Sequence, residues 1–166
     1  GQGKYKIDAG HSTTIYNGEA VKISSGYVVG GQGSAADTLG VLNGIFYNDA
    51  STLKPTFSNF YKATITPANS EDTTAFVIDD PFQQYVVAAD AATGVATFLE
   101  TYDMNTSSGD DTTGKSDATL DIGTTSANGK QYRMLRSAED PENEDATAVR
   151  HSVVVVSNLN SFNGHN

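Results

Sequence analysis

The chain has no cysteine and no tryptophan in its 166 residues. Without thiols it can form neither a disulfide framework nor a thiolate metal site, although the compartment stays open on that count. Basic residues are also scarce, ten against twenty acidic ones, for a formal charge of −10. Such a surface repels phosphate backbones and anionic lipid, so neither nucleic acid nor membrane is an expected partner. No apolar run approaches the roughly 18 residues of a membrane span. The opening Gly1-Gln-Gly-Lys-Tyr-Lys6 lacks the apolar core of a signal peptide. Gly1 with no preceding Met reads as a processed start, and Tyr5 stands where N-myristoylation would want Ser or Thr.

What is present suits strands. Hydrophobic residues make up 37% of the chain, with 16 glycines and many Thr, Ser, Asn and Asp, which fits short strands joined by frequent turns better than a helical bundle. A chain of this length is expected to fold as one domain that buries about 70% of its unfolded surface. The expected fold is all-β, a single-domain β-barrel or β-sandwich of short antiparallel strands with one minor helix. Residues 1–13 read as an extended N-terminal arm, 14–160 as the β-domain and 161–166 as a polar C-terminal tail.

The segment Thr73 to Ala91 is the expected centre. Two apolar runs, Ala75–Ile78 and Tyr85–Ala88, flank Asp79-Asp80-Pro81, where proline fixes its own φ and both carboxylates can fold back onto backbone N–H groups. This predicts a β-hairpin. Ala20 to Val29 predicts two short strands about Ser24-Ser25-Gly26. Thr38–Tyr47 predicts a strand in which Gly40 and Gly44 mark a bulge or a close backbone approach. Phe57–Thr66 and Ala118–Ile122 have strand composition. Val95, Phe98, Leu99 and Tyr102, at i, i+3, i+4 and i+7, predict the minor helix. Asn128-Gly129 predicts a tight turn requiring positive φ. Ala138 to Ala148 is an acidic loop, and Val153-Val-Val-Val156, apolar on both faces, predicts a central strand.

The chemical motifs are weak. Gly31-Gln-Gly-Ser-Ala-Ala36 fits a dinucleotide loop, but a strand rather than a helix follows, so no helix N-terminus would face a pyrophosphate. Asp79 with Asp80, Asp110 with Asp111, and Glu139, Asp140, Glu142, Glu144 and Asp145 could supply oxygens to Ca²⁺, yet none follows the alternating spacing that wraps one ion. They read as solvated turns. His11, His151 and His165 are too scattered for a metal triad, and no G-x-S-x-G elbow accompanies His151. The eight tyrosines and seven phenylalanines could form a sugar-stacking platform, but most fall inside strand patterns and read as core or interface packing. No catalytic, cofactor-binding or metal-binding residue, no enzymatic activity and no cofactor is therefore expected.

Several segments, taken in order, resemble the tailed-bacteriophage capsid auxiliary proteins, the cement or decoration proteins of the virion. They are Ile15-Tyr-Asn-Gly-Glu-Ala-Val-Lys22, Leu39-Gly-Val-Leu-Asn-Gly-Ile-Phe-Tyr47 with Phe57-Ser-Asn-Phe-Tyr61, Ala75-Phe-Val-Ile-Asp-Asp-Pro81, and Gln131-Tyr-Arg-Met-Leu-Arg136 with the closing valines. The resemblance implies a non-enzymatic virion protein on the capsid exterior that bridges subunits of the major capsid protein. Copies of itself are the second implied partner, with a homotrimer as one arrangement. On this reading the Gly1–Thr13 arm, the Asn105–Gly114 loop and the Ser161–Asn166 tail would become ordered on the shell. The alternative is an adhesive or glycan-binding β-domain of a phage fibre or cell surface.

Overall fold

A computed structural model describes residues 1–31, 37–105, 109–142 and 145–162. Among these residues the chain forms eleven strands and two 3-10 turns, Ala68–Ser70 and Val95–Thr97, with no α-helix. The fold is all-β and every ladder between strands is antiparallel. Of the two expected architectures the barrel is excluded, because neither of the two sheets closes on itself. Where the sequence suggests one β-domain, the chain gathers into two compact units.

Unit 1 comprises Gly1–Gly31, Leu39–Asp80 and Ser108–Asp117. Its strands are β1 (Gly3–Ile7), β2 (Ala20–Ser24), β3 (Tyr27–Gly30), β4 (Gly40–Asn48), β5 (Pro55–Ser58) and β6 (Thr73–Ile78). They run in the order β1-β6-β4-β2-β3, with β5 paired to the far end of β4. Alternation decides which face is buried: Ala75 and Val77 of β6 and Leu42 and Ile45 of β4 enter the core with Ile7, Ile15, Val21, Val28, Leu39 and Tyr61. The expected hairpin at Ser24–Gly26 forms. Ser25 and Gly26 adopt φ of 50° and 88°, the pair of positive values that a tight hairpin turn needs.

Both β4 glycines behave as expected. The register with β6 shifts between Leu42 and Gly44, which marks a bulge, and Gly44 takes φ 136°. A Cβ at Gly40 would lie 2.0 Å from the Ile78 carbonyl oxygen, so β4 and β6 approach each other there as only glycine permits.

Residues 1–13 correct the expectation of an extended arm. Gly3–Ile7 is strand β1, paired with β6 from Gly3↔Val77 to Ile7↔Thr73. Its period-2 pattern explains this: Tyr5 and Ile7 turn inward while Lys4 and Lys6 face out. Beyond it the Ala9 N–H donates to Asp72 Oδ1, and the Tyr61 hydroxyl donates to the His11 carbonyl at 2.9 Å. The Asn105–Gly114 loop is also held where it is described. Asn17 N–H donates to the Gly114 carbonyl at 2.8 Å, Asn59 Nδ2 to the Thr113 carbonyl and the Tyr16 hydroxyl to Asp111 Oδ1. Gly109 and Gly114 press against the stacked rings of Tyr16 and Phe60. Residues 106–108, and 163–166 of the expected tail, lie outside the described residues.

Unit 2 comprises Gln32–Thr38, Pro81–Ser107 and Ala118–Asn166. Its strands β7 (Gln84–Ala88), β8 (Thr101–Met104), β9 (Leu120–Ser126), β10 (Tyr132–Ser137) and β11 (Ser152–Ser157) run in the order β7-β11-β10-β8-β9. The four valines lie on β11 between β7 and β10, the central position that their two apolar faces predict. Tyr102, Met104, Leu120, Tyr132 and Met134 are buried with them.

Three local expectations fail in unit 2. The hairpin about Asp79-Asp80-Pro81 does not form: β6 pairs with β1 and β4, β7 pairs with β11, and the turn at Pro81-Phe82 instead marks the boundary of unit 1 and unit 2. The minor helix is a single 3-10 turn. Phe98 is extended, Leu99 takes φ 67° and gives its N–H to the Met134 carbonyl, and Tyr102 belongs to β8. Asn128-Gly129 turns the chain without positive φ, since β8 lies between β9 and β10 and the connection must step over it.

Candidate functional site

The outward face of the unit 1 sheet carries an aromatic cluster built from three strands. Because side chains alternate, burial of Ala75, Val77 and Ile45 turns Phe76 of β6 and Phe46 of β4 outward. Phe57 of β5 stands directly opposite Phe46, and Gly44 stands opposite Phe76. Phe57 therefore lies across both rings, its centroid 4.8 Å from Phe46 and 6.4 Å from Phe76. It remains 73% exposed. Val41 and Ile78, a directly opposed pair, extend the apolar strip along β4 and β6.

Two lysines border this cluster. Lys4 of β1 stands opposite Phe76, and Lys6 stands opposite Thr74, to whose Oγ1 its Nζ donates at 3.1 Å. They are two of only ten basic residues in a chain of charge −10, so this face combines apolar rings with local positive charge. Asn43 Nδ2 donates to Gln2 Oε1 at 2.8 Å, so that amide is already engaged. The arrangement can desolvate rings against another surface and pair with carboxylates around them.

The groups considered for catalysis or metal binding are spread over the fold. Asp79 Oδ2 accepts from the Tyr5 hydroxyl at 2.7 Å, and burial together with that bond pushes the Tyr5 pKa up to about 12. Asp110 accepts from the Thr112 N–H, which holds its carboxyl below the usual range. Asp145 is likewise lowered by the Thr147 hydroxyl and N–H, and Asp140 accepts from the Glu142 N–H. Asp110, Asp140 and Asp145 are turn carboxylates satisfied by groups two residues on, whereas Asp79 is bonded to Tyr5 of β1. His11 is lowered by burial, against the opposing charge of Asp8, and lies 5.5 Å from the Tyr61 ring. His151 is buried in unit 2, where its carbonyl accepts the Ala89 N–H. Glu144, His165 and residues 32–36 of the glycine loop lie outside the described residues. Among the described residues no group of three or more His, Asp or Glu is placed to hold a metal ion.

Two open hollows, of about 540 and 470 Å³, lie beside Tyr47 and Asp49 in unit 1 and beside Glu100 and Tyr102 in unit 2. Each holds one carboxylate. That of Asp49 accepts from the Ser51 and Thr52 N–H groups.

Reading the phenylalanines as strand packing misses the cluster, although the signal is present. Ala75-Phe-Val-Ile78 is apolar at every position, so once alternate residues fill a core the others must cover the opposite face. No family model matches this chain, and neither a curated protein nor a solved structure is significantly similar to it.

Proposed function

We propose that this is a non-enzymatic structural protein of a virion, a cement or decoration protein on the outside of an icosahedral phage capsid. It would bridge major capsid protein subunits, and its other partner would be copies of itself. The observation that carries the docking role is Phe57, 73% exposed over Phe46 and Phe76 on a sheet face bordered by Lys4 and Lys6. Covering one such ring stabilises a complex by about 1.5–3 kcal/mol. A rigid sheet offers that gain with little ordering cost. Because β1 is integral to the sheet, the docking role moves from the terminal arm to this face. Bridging two subunits would multiply a modest single contact through effective concentration.

The adhesive or glycan-binding alternative draws on the same rings. Against it, Phe46 and Phe57 are inclined by 47° rather than coplanar, and the neighbouring Asn43 amide is engaged by Gln2. Co-sedimentation with mature capsids of the source particle at near-physiological salt tests the proposal. Saturable binding at a fixed ratio to major capsid protein is expected. No binding to either immature or expanded shells, with signal on a glycan array, would transfer the reading to the adhesive alternative.

A further inference from the structure

Among the described residues the sheet edges are protected in different ways, and β7 least of them. β1 carries Lys4 and Lys6, and β3 comes within 8 Å of β1, so these two edges of unit 1 shield each other. β5 is four residues long and begins with Pro55. β9 contains Gly123, whose N–H is taken by Asp121 Oδ1. β7 carries no charge, proline or glycine, and its Gln84 carbonyl accepts from Gln83 Nε2. From Phe82 to Ala89 the sequence Phe-Gln-Gln-Tyr-Val-Val-Ala-Ala holds no charge, proline or glycine. It ends the strand order of unit 2, and Phe82 and Val86 are 78% and 68% exposed.

The ladder fixes which backbone groups face outward. Ala89 gives its N–H to His151 in register with the β7–β11 pairing, so odd-numbered residues bond to β11 and Gln84 and Val86 point their N–H and C=O groups away. A bridge from Ala89 to Leu120 closes that side only at its C-terminal end. Among the described residues no other strand pairs there.

We propose that β7 is where a second copy of this chain adds to the sheet, antiparallel and about a two-fold axis. Charge selects the occupant. Copies carrying −10 each repel where acidic surfaces face each other, and in the run Phe82–Val87 no like charges meet across the axis. Gln83 and Gln84 have amides that both donate and accept, so they are self-complementary; the bond from Gln83 Nε2 to the Gln84 carbonyl, 2.9 Å, can be exchanged for one across the contact. One β7 edge accepts one partner strand, which gives a dimer.

Sedimentation equilibrium on the full chain tests this independently of the capsid reading. The weight-average mass is expected to rise toward twice 17.5 kDa as concentration approaches about 0.2 mM, a range suited to a contact smaller than a standard interface. Val86→Lys should hold the mass at one chain throughout, with an unchanged melting temperature because Val86 faces solvent. Gln84→Glu should do the same at low salt and regain association at high salt. A single-chain mass for the wild type, association insensitive to both substitutions, or a threefold mass would each overturn the proposal.

Discussion

Replacing Gly40 with alanine should weaken unit 1 more than replacing any glycine in open space. The added Cβ would lie 2.0 Å from the Ile78 carbonyl oxygen, 2.8 Å from its carbon and 2.9 Å from Val77 Cγ1. Ordinary contact begins near 3.4 Å, so β4 and β6 would have to part by more than 1 Å at the Val41↔Ile78 pair. The obstacle is ladder backbone, which cannot swing aside as a side chain does. Separation would loosen one or two hydrogen bonds worth about 1 kcal/mol each and the packing of Val77, for a total of about 3 kcal/mol at the upper end of overpacking costs. At this chain length that lowers Tm by about 6–12 °C. Calorimetry or thermal circular dichroism reads it directly, with Gly94→Ala as the control, where nothing lies within 4 Å and φ is extended. A fall under about 2 °C for Gly40→Ala would refute the close approach.

Further consequences concern β1 and two titrating groups. Ile7→Ala, at a fully buried position of β1, should cost about 2–5 kcal/mol in urea unfolding; a free arm would lose nothing. Tyr5, with its pKa raised to about 12 from 10.0, stays protonated in the folded state where the unfolded chain ionises. Its contribution to stability is present below pH 10 and is lost as pH rises toward 12, so Tyr5→Phe should flatten the alkaline decline in Tm. His11 is shifted the other way, below its ordinary 6.5. The unfolded chain therefore takes up the proton first as pH falls through that value, stability declines on the acid side, and His11→Gln should reduce the slope in a Tm series from pH 7 to about 5.

Local chemistry was legible where it decides the structure unaided. The Ser25-Gly26 turn succeeded because both residues occupy positive φ and its strands are adjacent in the chain. The β11 valines succeeded because two apolar faces leave only a central position. Asp79-Asp80-Pro81 shows the limit: a turn forms at Pro81, but which strand pairs with which depends on partners far along the chain, here β1, β4 and β11. Asn128-Gly129 fails for the same reason, with β8 inserted between the strands it joins. The Val95–Tyr102 pattern spans only eight residues, too few to sustain a helix without tertiary support, and β8 takes its last member. β1 was legible in the alternation of Tyr5 and Ile7 with Lys4 and Lys6, and the glycines and lysines around it obscured that pattern. The phenylalanine face was half legible: an all-apolar run announces two apolar faces, but only the register of β4, β5 and β6 brings Phe46, Phe57 and Phe76 together.

The most direct test of the docking face is a capsid-occupancy titration comparing the wild-type chain with Phe57→Glu. The substituted residue is exposed, so the fold should persist, while binding loses the burial of one ring, about 1.5–3 kcal/mol. Half-saturation should therefore shift to about ten- to a hundredfold higher concentration. Unchanged occupancy, with the wild type binding saturably, would contradict the assignment of this face.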